Sequence, residues 1–386
     1  MCTPNRMKSA AWLLLLLVVS CVEPYAPKVP DAANSYLVVD GFINSRGTTT
    51  FRLSRTQSID DEGAPVTESG ANIFIEDEQG AQIPLAETEP GTYTVSGLDL
   101  NNAGRYHLLV RTASGKEYAS DFVEVKQTPP IDEITWTAEN NTLQFFVNTH
   151  DPQNNARYYR WEYEGTWEYT AAYGSSLKYD EASASMVPRT SSDEDIYRCW
   201  KTDLSTDIKL ATSVRLSQDV INAFPVMAVS SDSEELRLKY SLLVKQYSLT
   251  QEAYQYWETL KKNTESIGTL FDPLPTQLTG NIHSLSDPDE VVIGYVGASS
   301  VQEKRVFVSR EELPHDWRTG FPICPPLDSI ELDQVPVYFG QSRAYLPVGG
   351  IYPAMGPPVL LGYTIARDIC VDCRLRGTNV KPVFWQ

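Results

Sequence analysis

Histidine and cysteine are scarce in this chain: four and six among 386 residues. None of the histidines (His107, His150, His283, His315) stands in an HExxH zinc pattern, and no Gly-x-Ser-x-Gly elbow occurs. The phosphate-loop and dinucleotide glycine patterns are missing too, so no nucleotide site is legible and no cofactor is expected. Positive charge is in deficit: 32 Lys and Arg against 50 Asp and Glu leave a net charge of −18. That balance argues against nucleic acid or an anionic lipid surface as partner, and favours solubility. Long apolar runs are missing everywhere except at the N-terminus. Nothing after residue 20 approaches the roughly 20 residues a spanning helix needs.

The one apolar run, Ala10 to Val19, is about half of a membrane span, and Arg6 and Lys8 precede it. It ends in Val18-Val19-Ser20-Cys21, a small residue before a cysteine. A positive start, a short apolar stretch and a small-residue cleavage site make a secretory signal, not a membrane span. The ending resembles the lipobox of bacterial lipoproteins, in which the cysteine sulfur carries a diacylglyceryl group. Residues 1–20 are therefore read as signal peptide and Cys21 as the lipid attachment site. Two or more acyl chains hold a protein on a membrane stably where one does not. Cleavage leaves 386 − 20 = 366 residues and, with two cations gone, a charge of −20. That length suits two or three domains, each burying its own core.

Residues 21–34, rich in Pro and Ala, read as a tether. Short strand-like segments then recur every 8 to 12 residues, among them Tyr36-Leu-Val-Val-Asp-Gly-Phe-Ile43, Ala71-Asn-Ile-Phe-Ile-Glu76 and Arg105-Tyr-His-Leu-Leu-Val-Arg111. With turns between them they predict an immunoglobulin-like antiparallel β-sandwich over 35–127. Gln127-Thr-Pro-Pro-Ile131 marks a boundary, and 128–310 reads as a second β-rich domain. Residues 174–195 read as a long surface loop. Ser248-Leu-Thr-Gln251 has capping-box spacing and predicts one amphipathic helix near 248–262, with Ala253, Trp257 and Leu260 on one face. Val291–Val296 and Arg305–Val308 look like a hairpin pair. Residues 311–386 read as an irregular Pro- and Gly-rich segment packed on the second domain.

Candidate chemistry is sparse. The aromatic stretch Tyr158 to Tyr169 alternates, with Tyr159, Trp161 and Tyr163 on one face and Tyr158, Arg160 and Glu162 on the other. That face is either core or, with Trp167, a ligand-contact surface. The acidic clusters Asp60-Asp-Glu62 and Asp193-Glu-Asp195 lack the spacing of a calcium loop, and no metal is expected. Besides Cys2 and Cys21, the cysteines are Cys199, Cys324, Cys370 and Cys373. An even count in an exported chain points to disulfides, while Cys370-Val-Asp-Cys373 also fits a redox pair or half a zinc site. A 370–373 bridge closes a very small, strained loop. Bridges to Cys199 and Cys324 close long ones and, in the chain-entropy account, stabilise by about 4 to 5 kcal/mol each. The expectation is that Cys370 and Cys373 each pair with one distant cysteine.

Several segments resemble the DUF4249 family of Bacteroidetes lipoproteins. They are Ser248-Leu-Thr-Gln-Glu-Ala-Tyr-Gln-Tyr-Trp-Glu258, Lys261-Lys-Asn-Thr-Glu265, Gly268-Thr-Leu-Phe-Asp272, Gly280-Asn-Ile282 and Val292-Ile-Gly-Tyr295. Lys304-Arg-Val-Phe307, Cys370-Val-Asp-Cys-Arg374 and Lys381-Pro-Val-Phe-Trp385 complete the set. The resemblance implies a lipid-anchored outer-membrane protein with a β-rich N-terminal half, encoded beside TonB-dependent outer-membrane receptors. It therefore implies such a receptor as partner, and with it the outward face of the membrane. Only one acid, Glu23, follows Cys21 closely, a weak form of the acidic run of surface lipoproteins. The resulting expectation is a non-enzymatic accessory protein that binds or gates a transporter's substrate. An envelope assembly factor without a small ligand is the alternative, and a hydrolase the third. An aromatic cleft favours the first, a flat interface the second, and His with Asp or Glu in a pocket the third.

Overall fold

The computed structural model describes residues 35–57, 63–190, 193–265, 278, 280–320, 324–340 and 344–386. The segments read as signal peptide (1–20) and tether (21–34), with Cys21, and the cluster Asp60–Glu62 lie outside them. Strands dominate, as the alternating pattern predicts.

The N-terminal unit is one 12-stranded sheet that curls around a single core of Leu37, Ile43, Phe51, Ile73, Tyr93, Leu108 and Tyr118. Most neighbours are antiparallel: Leu37–Gly41 pairs with Arg46–Arg55, and Asn72–Asp77 lies between Gln82–Glu89 and Arg105–Arg111. The strands that seal it come from far along the chain. Ile282–Ser284 pairs with Glu117–Ser120, Val292–Ile293 runs parallel to Leu37–Gly41, and Ala298–Ser299 lies parallel between Ile43–Asn44 and Val123–Lys126. Ile282, Val292, Val296 and Ala298 accordingly join the first core. Residues 282–299, assigned from sequence to the second unit, thus complete the first. The expected hairpin between 291–296 and 305–308 does not form; Val301–Ser309 pairs instead with Lys239–Ser248. Parallel pairing across some 250 residues leaves no local signature, whereas two nearby apolar runs mimic a hairpin.

Gly294 shows why the returning segment lies so close. Its φ is +140°, and a Cβ there would stand 2.2 Å from the Val39 carbonyl oxygen. Only glycine admits that approach.

The second unit is a two-layer sandwich. One layer is Ile131–Glu139, Thr142–Asp151 and Asp219–Ser230; the other is built on Tyr158–Thr170, flanked by Arg198–Leu204, Lys209–Thr212 and Lys239–Ser248, with Val301–Ser309 outermost. Period-2 alternation sends Leu143, Phe145 and Val147 into the shared core, where they meet Tyr159, Trp161, Leu242 and Val244. At the centre the Trp161 indole donates to Gln246 Oε1 (2.8 Å), and Gln246 Nε2 donates to the Pro129 carbonyl (2.8 Å). A buried indole N–H is costly without such an acceptor.

The helix occupies Gln251–Glu265. Its cap is Thr250, whose Oγ1 accepts from the Ala253 amide (3.1 Å), not the predicted Ser248. Ser248 still belongs to the strand before it, with its hydroxyl buried. Residues 177–188 are a short hairpin, with Leu177 opposite Pro188, where a loop was expected. The C-terminal segment holds a three-stranded sheet, Asp328–Glu331, Gly362–Arg367 and Tyr345–Ile351. Two disulfides staple it: Cys199–Cys373 and Cys324–Cys370. Each half of the Cys-Val-Asp-Cys pair thus bonds a distant partner, as loop length favours, and the redox and zinc arrangements are not formed.

Candidate functional site

The two units meet at Thr128, whose amide donates to the Ser300 hydroxyl (2.9 Å) and whose hydroxyl donates to the Ser300 carbonyl (2.5 Å). The outgoing and returning chains therefore cross side by side. Beside this crossing lies a cleft of about 370 Å³, walled by the first unit, the outer face of the Tyr158–Thr170 layer and the helix. Phe42, Arg52 and Asp40 contribute from one side, and Arg160, Glu162, Tyr247 and Trp257 from the other.

Strand alternation builds the floor. Tyr159 and Trp161 point into the core, so Arg160 and Glu162 point to the cleft. Cap placement by Thr250 starts the helix so that Trp257 comes over Arg160. The guanidinium carbon stands 4.1 Å from the Trp257 ring and 4.7 Å from the Tyr247 ring. Such stacking over a ring face is attractive, and more so where water is thin. Phe42 meets Tyr247 edge-on at 5.0 Å. Glu162 fixes both neighbours: it accepts from Tyr247 Oη (2.6 Å) and pairs with Arg160 (3.0 Å). Burial first, then the Glu162 carboxylate, pushes the Tyr247 phenol far above its ordinary value, so it stays a donor. Arg160 Nε is buried without a hydrogen-bond partner. Neither histidine nor cysteine is among the residues described on the cleft wall. The wall offers rigid aromatic faces and fixed, oppositely charged groups, which is the chemistry of recognition.

The aromatics read from sequence as either core or ligand contact are core. Tyr159 and Trp161 are fully buried; Trp161 is stacked 4.5 Å from Phe224 and 5.7 Å from Tyr159. Trp167 is also core, with Lys201 over its ring. Tyr163 is half-buried, donates to Asp207 (3.1 Å), and is pushed up to about 12 by burial and that carboxylate. All four therefore pack the second unit, and the opposite face of the same strand supplies the cleft. Alternation identified the two faces; which one turned outward depended on the layer formed by Ile131–Glu139, Thr142–Asp151 and Asp219–Ser230.

Three of the four histidines and the second acidic cluster are occupied by structural partners, and His315 is exposed. His107 is buried, stacked 4.0 Å from Phe122 and 3.2 Å from Glu76. His150 bonds Asp132 (2.7 Å), and His283 bonds Asp121 (3.2 Å). Asp193 pairs with Lys178, Glu194 with Arg374, and Asp195 accepts the Tyr197 amide (2.8 Å). Among the described residues no three His, Cys, Asp or Glu converge to hold a metal ion, and no helix is long and apolar enough to cross a membrane.

Comparison with solved structures gives faint likenesses. A cytokine receptor complex is 10% identical with a TM-score of 0.19, over 54% of this chain and 84% of that one. A two-domain fibronectin type-III segment of chicken tenascin is 11% identical with a TM-score of 0.15, over 54% and 88%. A pullulanase complexed with maltotriose, from Anoxybacillus sp. LM18-11, is 10% identical with a TM-score of 0.16, over 56% and 24%. At these scores none carries a functional argument. No curated protein matches the chain. The family match covers residues 22–305, and the chain therefore belongs to DUF4249, a family defined as a domain of unknown function.

Proposed function

We propose that this protein is an accessory lipoprotein, anchored through Cys21 at the outer membrane, that binds or gates substrate for a TonB-dependent receptor. The observation that carries the reading is the cleft at the junction of the two units, with Arg160 held between Tyr247 and Trp257. A ligand seated there touches both units, so occupancy biases how they sit together, the requirement for a gate. The lipobox and the apolar run before it support the anchor, and family membership supports the receptor as partner.

Affinity purification from detergent-solubilised membranes, followed by mass spectrometry, tests the partnership. A TonB-dependent receptor should be enriched with the intact chain; eluates without one overturn that reading. Trp257→Ala and Arg160→Ala should weaken uptake of the receptor's substrate while leaving the lipoprotein at its normal level. Cys21→Ala should abolish incorporation of a palmitate analogue, and label retained by that variant overturns the anchor.

A further inference from the structure

The C-terminal sheet projects a ten-residue loop, 352–361, between the strands Tyr345–Ile351 and Gly362–Arg367. Its surface is apolar and open: Met355 is 90% exposed, Val359 57%, Tyr352 56% and Leu361 53%. No charged residue occurs from Tyr345 to Ala366, although 21% of the whole chain is charged. An isolated apolar side chain on a surface is ordinary; a contiguous protruding set is not.

We propose that this hairpin tip dips into the interfacial region of a neutral lipid bilayer. Three features choose lipid over a protein partner. A protein interface has a polar rim around its apolar centre, and here both flanking strands are as uncharged as the tip. Pro353, Pro357 and Pro358 carry no amide hydrogen, and the Leu361 amide is already bonded to the Ile351 carbonyl (2.9 Å). Fewer free donors therefore need water, and unsatisfied donors are what a lipid phase penalises. Tyr352, at the base of the loop, is the residue type that sits at headgroup level. The chain's net charge of −18 adds the sign of the lipid: a zwitterionic surface is compatible, and an anionic one repels. The contact requires no receptor and is separate from the cleft.

The test uses the full chain bound to phosphatidylcholine vesicles with no other protein present. Met355→Cys carries an environment-sensitive dye; Gln79→Cys, on an exposed turn of the first unit, carries the same dye as control. The unsubstituted chain labelled alongside supplies the blank. The Met355→Cys label should shift to the blue on vesicles and be quenched by lipids brominated in their acyl chains, while the Gln79→Cys label does neither. Adding Val359→Asp to the Met355→Cys chain should abolish the shift without changing far-ultraviolet circular dichroism. A tip label that stays in water, or one that shifts only when receptor-containing membranes are supplied, overturns the proposal. So do equal shifts at both sites. Cys21 lipidation changes how much protein binds, not the contrast between labels on bound protein, so this outcome and the receptor reading fail separately.

Discussion

The N-terminal unit gathers Leu37, Phe51, Ile73, Tyr93 and Tyr118 into one core and has no cysteine. The region from residue 324 onward gathers most of its buried apolar residues into two small clusters, one around Cys370 and Val371 and one around Ile330 and Phe339. It carries three of the four bridged cysteines. A large continuous core can offset chain entropy by burial alone, whereas small clusters cannot, and covalent links make up the difference. Where the core is thin, the stability is in the staples.

The largest expected effect breaks the staples. Cys373→Ser and Cys324→Ser should cost about 5 and 4 kcal/mol, from loops of 174 and 46 residues in the chain-entropy account. Hydrogen exchange should rise across 324–386 and stay unchanged across 37–55. A uniform rise in both regions would erase the distinction between them.

Trp161→Ala comes next. Removing a fully buried indole from the second core should cost about 3 to 5 kcal/mol in chemical denaturation. An unchanged midpoint would return Trp161 to the surface. Gly294→Ala should cost about 1 to 3 kcal/mol, because a Cβ meets the Val39 carbonyl in a backbone conformation that side chains disfavour. The loss should appear as exchange in Leu37–Gly41, not in Thr142–Asp151. If the second unit loosens instead, the return segment belongs there after all.

The smallest effect concerns His150, raised above its ordinary value chiefly by its hydrogen bond to Asp132. Its stabilising contribution is fully present below pH of about 6.5 and fades as pH rises through the raised value. Asp132→Asn should lower the His150 titration midpoint seen by NMR, and a midpoint that does not move would show the pair to be inert.

How legible these regions were in the sequence follows the range of the forces that shape them. Alternation named the strands around Leu143–Val147 and Tyr158–Tyr163 and sorted the second into two faces, because pleating is local. That Cys370 and Cys373 each take a distant partner followed from loop-length arithmetic, whereas which of them bonds Cys199 and which Cys324 did not. The closing strands at 282–299 were missed: a two-residue parallel pairing such as Leu37 with Val292 has too few residues to show a period. The helix cap was displaced by two residues because Ser248 was needed by the strand before it. The cleft was invisible for a related reason. Phe42, Arg160 and Trp257 lie on three separate segments, and only tertiary packing brings them to one wall.

The late-arriving strands also set an order of events during synthesis. Leu37–Gly41 and Val123–Lys126 leave the ribosome as unsealed edges and wait for residues 292–299. At roughly 5 to 20 residues per second, the intervening stretches take on the order of ten to fifty seconds to emerge. For that interval the first unit exposes strand edges that invite pairing with another chain. A nascent chain stalled near residue 280 should be cut by protease between 37 and 55, and one stalled some 40 residues beyond 299, clear of the exit tunnel, should not. The first unit to be made is thus among the last to close.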